Sequence, residues 1–584
     1  MCKKRFDGIY SLLCAATGIS CRGAFFVQER RDSKYMAIYE ESAPSWKRTA
    51  LFLALAFLVI YSPLQLTERE LYWNEGIYAA VALEMNSFPP VALAHGELVD
   101  ESFPLFPLLA SWGYKLTGLG MESLLRGISV LALAALGGLV WEAGRRAVNI
   151  QAAAVAAAAV ISSNIIIEKT LDGFPNTLGL VFLFSGWLVW FMYGAVRSQW
   201  NFAWVSGCFF CGLAFYTIGW EALLYFFVPL VFMRRPLTVW PRLRKPGFWL
   251  GLGLILFFVL LWGVPRWRVG MDIPFRSLPM ESDLFSNYLE HLFMFPFDVA
   301  FRFMPWTLLA WAPFCVAYHP LDKNPIFSRF LRTIFITLFF VLWLSPGTNA
   351  RDITLLAPPL SILIGINYWL LVRRHGWQLQ WLFHYLSYVM VLAALVLALF
   401  YTLPPACWTS FIPFKGNLSF QSLPHYVTLG WIYSSLLLAI GVYLLWAGFR
   451  FYVWERIFLI SVASMLFLWG SLYPYKAQEN TKRELGRILK DALNSSFSSG
   501  IVVYKDMRIS GLYGECYYMG CKIKKLRSYK ELPKREHEVF VLSTEVPALP
   551  DRTWVNLLPA RASYRDTRIC LWKGTLTASA RDKK

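Results

Sequence analysis

The chain has 584 residues, of which 57% are hydrophobic, 17% aromatic and only 16% charged, with a formal net charge of +19 and a mean hydropathy of +0.45. A soluble protein of this composition would expose more apolar surface than water tolerates, so the class is a polytopic α-helical membrane protein. The net positive charge does not imply nucleic-acid binding, because the Lys and Arg gather in short stretches beside apolar runs, as orientation signals do.

Residues 1–48 form a basic N-terminal segment. Arg22, Arg30 and Arg31 interrupt its apolar patch before a full span is reached, and Met36 is an alternative start. Spanning-length apolar stretches then fall near 49–65, 122–142, 150–167, 174–195, 201–217, 219–233, 247–265, 301–318, 331–345, 354–372, 380–402, 425–447 and 452–473, about thirteen in all. If they alternate, Lys47 and Arg48, Arg145 and Arg146, Arg197, the run Arg234–Lys245, Lys323 to Arg332, Arg373 and Arg374, and Arg450 and Arg456 share one side. By the positive-inside rule that side is the cytoplasm. The expected partition is a transmembrane domain over 49–474 and an outward-facing α/β domain over 475–584. "TKRELGRILKDAL" reads as a helix in that tail, and "IVVY", "EVFVLS" and "RICLW" as strands.

Loop 66–121 lies on the outer side in this scheme. Its segments 75–86 and 104–117 are too short to span and read as helices in the membrane interface; ordinary packing against the bundle is the alternative. The outer side also gathers carboxylates: Glu75, Glu84, Asp100, Glu101, Asp172, Glu221 and Glu290. Buried or interfacial carboxylates are expensive and mark functional candidates. Each has a plainer role open to it. Asn74 is a good helix cap, with Glu75 next to the positive helix end. Glu84 shares a face with Ile77 and Val81 and reads as a packing anchor, and Asp172 sits in a turn sequence, "EKTLDGFPN". The ten cysteines and seven histidines show no zinc spacing.

Taken in order, several segments resemble the polyprenyl-phosphate-sugar-dependent glycosyltransferases of the GT-C fold, in particular the protein O-mannosyltransferase and lipid A aminoarabinose transferase group. "WNEGIYAAVALEM" is similar to that family's Asp-Glu-x-x-Tyr segment, "DESFPLFPLLASW" to its Lys-Pro-Pro-Leu segment and "MESLLRGISVLA" to its Arg-x-x-Ser stretch. "IEKTLDGFPNTLGLVFLF" is similar to the segment with its second acidic residue, "GLAFYTIGWEALL" to its Lys-Gly-Pro stretch, "FMPWTL" to its Pro-Trp segment and "LSPGTNARDITLLAPPL" to its basic, Pro-rich segment.

The resemblance implies a sugar transferase of the inner (plasma) membrane with its site facing outward. A polyprenyl-phosphate-linked sugar would be the donor, and a lipid, glycan or protein group the acceptor. Glu75, Asp172 and Glu101 are then the catalytic candidates, Arg351, Arg126 and Lys169 the candidates for the donor phosphate, and Asn74 and Tyr78 for orienting the acceptor. Asn74 stands where the family has Asp, and the two family lysines fall near Ser102 or Phe103 and on Ile218. Those departures leave a silent relative that binds lipid-linked sugar as a second reading. A lipid or sugar transporter is the third, although no paired repeat is visible. No cofactor is required; a divalent metal among Glu75, Glu101 and Asp172 is left open.

Overall fold

The computed structural model describes residues 46–61, 70–72, 74–85, 91–99, 103–268, 284–402, 424–446, 452–478, 481–494, 501–509, 511–533, 536–549, 551–558, 563–564 and 567–576. A first helix, α1 (Trp46–Ile60), leads into a long loop, which carries α2 (Glu75–Glu84), a hairpin of β1 (Leu93–Ala94) and β2 (Glu97–Leu98), and α3 (Leu105–Thr117). The bundle continues with α4 (Met121–Ala147), α5 (Ile150–Ser162), α6 (Asn164–Thr170), α7 (Asn176–Phe191), α8 (Trp200–Ile218), α9 (Glu221–Val231) and α10 (Pro246–Arg268). Its second half comprises α11 (Leu284–Arg302), α12 (Pro325–Leu344), α13 (Ala357–Thr402), α14 (Pro424–Trp446) and α15 (Val453–Gln478).

This is a multi-pass membrane protein. Among the described residues seven helices are long and apolar enough to cross a bilayer, and nine if each of two bent pairs counts as one span. Three shorter apolar helices, Thr49–Leu58, Glu221–Val231 and Gly430–Trp446, lie on further expected spans. The count of thirteen is therefore not reproduced as thirteen full-length helices. The expected spans at 354–372 and 380–402 are one continuous helix, α13, because "RRHGWQLQ" between them contains no proline to end it. Its halves nevertheless have different neighbours. Gly365 lies against Ala152 at the start of α5, so the first half leads away from the end where α2 sits. Further on, Arg456 donates to the Gln380 carbonyl at 3.0 Å and Tyr401 to that of Gly470, so the second half packs along α15.

The tail is a small α/β domain, as its sequence predicts. Two helices, α16 (Thr481–Asn494) and α17 (Tyr513–Met519), accompany a five-stranded sheet. Its strands are β3 (Val502–Asp506), β4 (Lys522–Leu526), β5 (Glu538–Ser543), β6 (Arg552–Asn556) and β9 (Cys570–Leu576), with a separate hairpin of β7 (Ser563–Tyr564) and β8 (Thr567–Arg568). The order is β4-β3-β5-β9-β6, parallel through the first three and antiparallel at β9 and β6. Leu489, Leu493, Val503, Phe540, Leu542 and Leu571 form the core under its helices.

The two loop helices behave differently. Seven of the ten residues of α2 are buried, so it is a helix inside the protein rather than one lying in the membrane interface. Small side chains permit this: a methyl on Gly76 would come within 2.6 Å of the Gly514 nitrogen in α17. By contrast, α3 buries Phe106, Pro107, Ala110 and Ser111 and leaves Trp112, Tyr114 and Leu116 exposed toward its C-terminal end.

Candidate active site

At the start of α2 the expected Asn74 cap is absent: its side chain makes no capping hydrogen bond. The Glu75 carboxylate instead turns back on the chain entering the helix, its Oε2 accepting from the Tyr72 N–H at 2.7 Å. The Glu75 carboxylate is completely buried, and so is Arg126 of α4. Arg126 grips it with a two-pronged fork, Nη2 to Oε2 at 2.8 Å and Nε to Oε1 at 3.2 Å. The Gly173 N–H adds a third direction, donating to Oε1 at 2.7 Å. Arg126 Nη2 also donates to the Glu70 carbonyl at 2.8 Å. Such a pair is stable in a dry interior only because nearly every lone pair and proton is engaged.

Glu75 thus fixes the Asp172–Phe174 turn. No side chain fits at Gly173, where a methyl would fall 2.7 Å from the Leu125 Cβ. The Ser129 hydroxyl donates to the Phe174 carbonyl at 3.1 Å and secures the far side of the turn. Asp172 then lies beside Arg351, with Oδ2 3.6 Å from Nη2. The Arg351 guanidinium stacks over the Phe174 ring at 3.3 Å, and among the described residues its Nε has no hydrogen-bond partner. Phe174 in turn meets Tyr78 edge-on at 5.6 Å, so Tyr78 packs against the turn.

The structure therefore joins Glu75, Arg126, Asp172, Arg351 and Tyr78 in one network. Lys169 belongs to a second cluster: it pairs with Glu168 at 2.5 Å, Glu168 with Arg302 at 3.2 Å, and Arg302 with Asp298 at 2.7 Å. Glu101 lies outside the described residues, as does Asp100. Glu290 is exposed on α11, and Glu221 opens α9. Glu84 turns its carboxylate to the β1–β2 turn and accepts from the His95 and Gly96 N–H groups at 2.7 and 3.0 Å. Among the described residues no group of three His, Cys, Asp or Glu is disposed to hold a metal ion.

Sequence reading missed the anchoring of this network to the tail. The Glu70 carboxylate accepts from the Lys482 and Arg483 N–H groups, at 2.9 and 3.2 Å, at the start of α16. This is the positive end of the helix, where a carboxylate is favoured. Tyr518 accepts from the Leu71 N–H at 2.9 Å and donates to Glu122, which also pairs with Arg483 at 2.9 Å. Tyr517 accepts from the Met121 N–H at 3.1 Å. Burial and the Glu122 charge push the Tyr518 hydroxyl far above its ordinary range, so it stays a donor. No local pattern could have marked these residues, whose partners are hundreds of positions away.

The structure superposes on that of ArnT from Cupriavidus metallidurans in the apo state, with a TM-score of 0.65 at 16% identity, covering 91% of this chain and 98% of that one. The chain has the GT-C fold. ArnT from the same organism bound to undecaprenyl phosphate matches with a TM-score of 0.62 at 17% identity, over 92% of this chain and 99% of that one. Residues 100–262 match the family described as dolichyl-phosphate-mannose-protein mannosyltransferase. No curated protein is a significant match. Within the GT-C fold of this chain, the Glu75–Arg126 network lies where the loop helices, the bundle and the tail domain meet.

Proposed function

We propose that this chain is a membrane glycosyltransferase that moves a sugar from a polyprenyl-phosphate carrier to a lipid, glycan or protein acceptor, in the inner membrane with its site facing outward. The observation that carries this reading is the Asp172–Arg351 pair, held by the buried Glu75–Arg126 fork on a GT-C fold. A similar structure on that fold, ArnT, holds undecaprenyl phosphate.

In this reading Asp172 and Arg351 serve the two ends of a displacement at the anomeric carbon. The acceptor oxygen forms a bond to that carbon while its proton passes to the Asp172 carboxylate. The bond from the carbon to the phosphate oxygen breaks, and its electron pair leaves on polyprenyl phosphate, whose growing charge Arg351 meets. A guanidinium suits a phosphate because two of its N–H groups bind two oxygens at once. Glu75 and Arg126, sealed against each other, position Asp172 through Gly173 rather than touch substrate. Lys169 is the second cation available to the phosphate, and Glu101 the second carboxylate available as base.

The test is release of free polyprenyl phosphate from a panel of polyprenyl-phosphate sugars. The Asp172→Asn variant should lose release while remaining folded by size-exclusion chromatography; wild-type release from it would remove Asp172 as the base. A silent relative is the second reading, favoured by Asn74 and by a Glu75 with both oxygens engaged. It requires retention of the lipid donor with no release from any acceptor–donor pair.

A further inference from the structure

At the end of the bundle far from the tail domain, charge and aromatic surface gather around Trp369. The Lys323 ammonium stands over its ring at 5.8 Å and the Arg373 guanidinium at 5.2 Å. Arg374, next in sequence, covers the Tyr318 ring at 4.9 Å. Among the described residues none of these three cations has an ion-pair partner. Asp322, beside Lys323, is already paired with Arg332. Two like charges thus approach one indole ring without a carboxylate partner among the described residues, an arrangement that an anion would stabilise.

A small, open cleft of about 30 Å³ lies beside them, lined by Val148, Asn149, Gln151, Leu321, Lys323 and Trp369. Its depth in the membrane follows from α4. The first residue of that helix, Met121, is bonded to Tyr517 of the tail domain, and its 27 residues extend about 40 Å, past a hydrocarbon core of about 30 Å. Val148 and Asn149 follow directly, so the cleft lies at the opposite membrane surface. There Leu321 and Val316 are 48% and 77% exposed, an apolar flank that faces lipid better than water.

We propose that Lys323 and Arg373, gathered around Trp369 beside this cleft, bind a phosphate-bearing anion, the headgroup phosphate of an anionic phospholipid in the leaflet opposite the tail domain. Lys323 and Arg373 hold the phosphate, Trp369 presents its indole to the glycerol region, and the Leu321 flank meets the first methylenes. The site is separate from the Asp172–Arg351 pair and does not depend on the glycosyltransferase reading.

Intact protein is placed in vesicles of phosphatidylcholine with a minor share of phosphatidylglycerol, extracted, and the lipid it retains counted by native mass spectrometry. Wild type should retain phosphatidylglycerol selectively. The double variant Lys323→Gln/Arg373→Gln should retain roughly thirtyfold less, since each basic group near an anionic surface contributes a factor of about five. The variant Arg145→Gln/Arg146→Gln removes two charges from the same end of the bundle and should leave retention unchanged. Equal losses in both double variants would overturn the site in favour of general surface attraction, and undiminished retention in the first would overturn it outright. In a parallel arm inorganic phosphate is added alone. Failure to displace the lipid supports the headgroup assignment, whereas full displacement overturns it and gives the site to free phosphate.

Discussion

Acidification should loosen the tail domain from the loop that carries β1 and β2, and His95 is the residue through which it acts. His95 sits at the β1–β2 turn with φ of 57°, its ring stacked on Tyr513 at 4.8 Å and its carbonyl accepting from the Lys525 N–H at 2.9 Å. Burial first, then the Lys505 and Lys525 charges, lower its pKa from 6.5 to about 3. The unfolded or undocked chain therefore binds a proton that the docked chain refuses between those values, so stability falls as pH drops below 6.5 and levels off near 3. Between pH 7 and pH 5 the loss is about 2 kcal/mol, or roughly thirtyfold in the docking equilibrium. Glu84 and Glu97 also face this turn. Burial raises the Glu84 carboxyl, an effect of opposite sign that the amides of Gly96 and His95 partly offset. The comparison with His95→Asn isolates the histidine, since Asn tolerates a positive φ and does not titrate. Hydrogen exchange at the Lys525 amide, corrected for the intrinsic rate at each pH, reads the equilibrium directly. Equal pH dependence in wild type and His95→Asn would refute the reasoning.

Three further outcomes are expected. Glu75→Gln leaves Arg126 buried without its charge partner and should destabilise the protein by about 3–5 kcal/mol; an unchanged unfolding temperature would show that the pair is not needed to hold the turn. Gly76→Ala drives a methyl into the Gly514 backbone, an overpacking worth about 1–3 kcal/mol, and should speed proteolytic nicking between bundle and tail. Cleavage at the wild-type rate would mean that the two helices separate without loss. Arg351→Lys keeps the charge but removes the fork and the stack on Phe174, and should weaken donor binding roughly tenfold with kcat changed less; an unaltered KM would move the phosphate contact to Lys169.

The spans were legible because an 18-residue apolar run has few alternatives in water. The tail was legible for the same local reason, since its helix and strands have their own periodicities. Other features were harder to read. Asn74 reads as the cap but makes no capping bond among the described residues, whereas the longer Glu75 side chain reaches both the Tyr72 N–H ahead of the helix and Arg126. The segment 75–86 has the length and composition of an interfacial helix; only the approach of Gly514, from the tail, shows that it is enclosed. Glu75 and Asp172 were visible as carboxylates near apolar spans, and Arg351 through the family resemblance. That Glu75 pairs with Arg126 and holds the Asp172 turn was not, because those contacts rest on the N–H of Gly173 and on Glu70, whose partners lie far along the chain.

The Glu70 clamp also orders events during biosynthesis. Its carboxylate waits for a backbone N–H that is 412 residues downstream, and at ribosomal rates of about 5–20 residues per second that interval is on the order of 20–80 s. Through most of its synthesis the nascent chain therefore holds the loop without its final anchor. The Glu75 network receives its last support only when the tail has been made and has folded, so a ribosome that stalls late would leave an inserted bundle without that anchor.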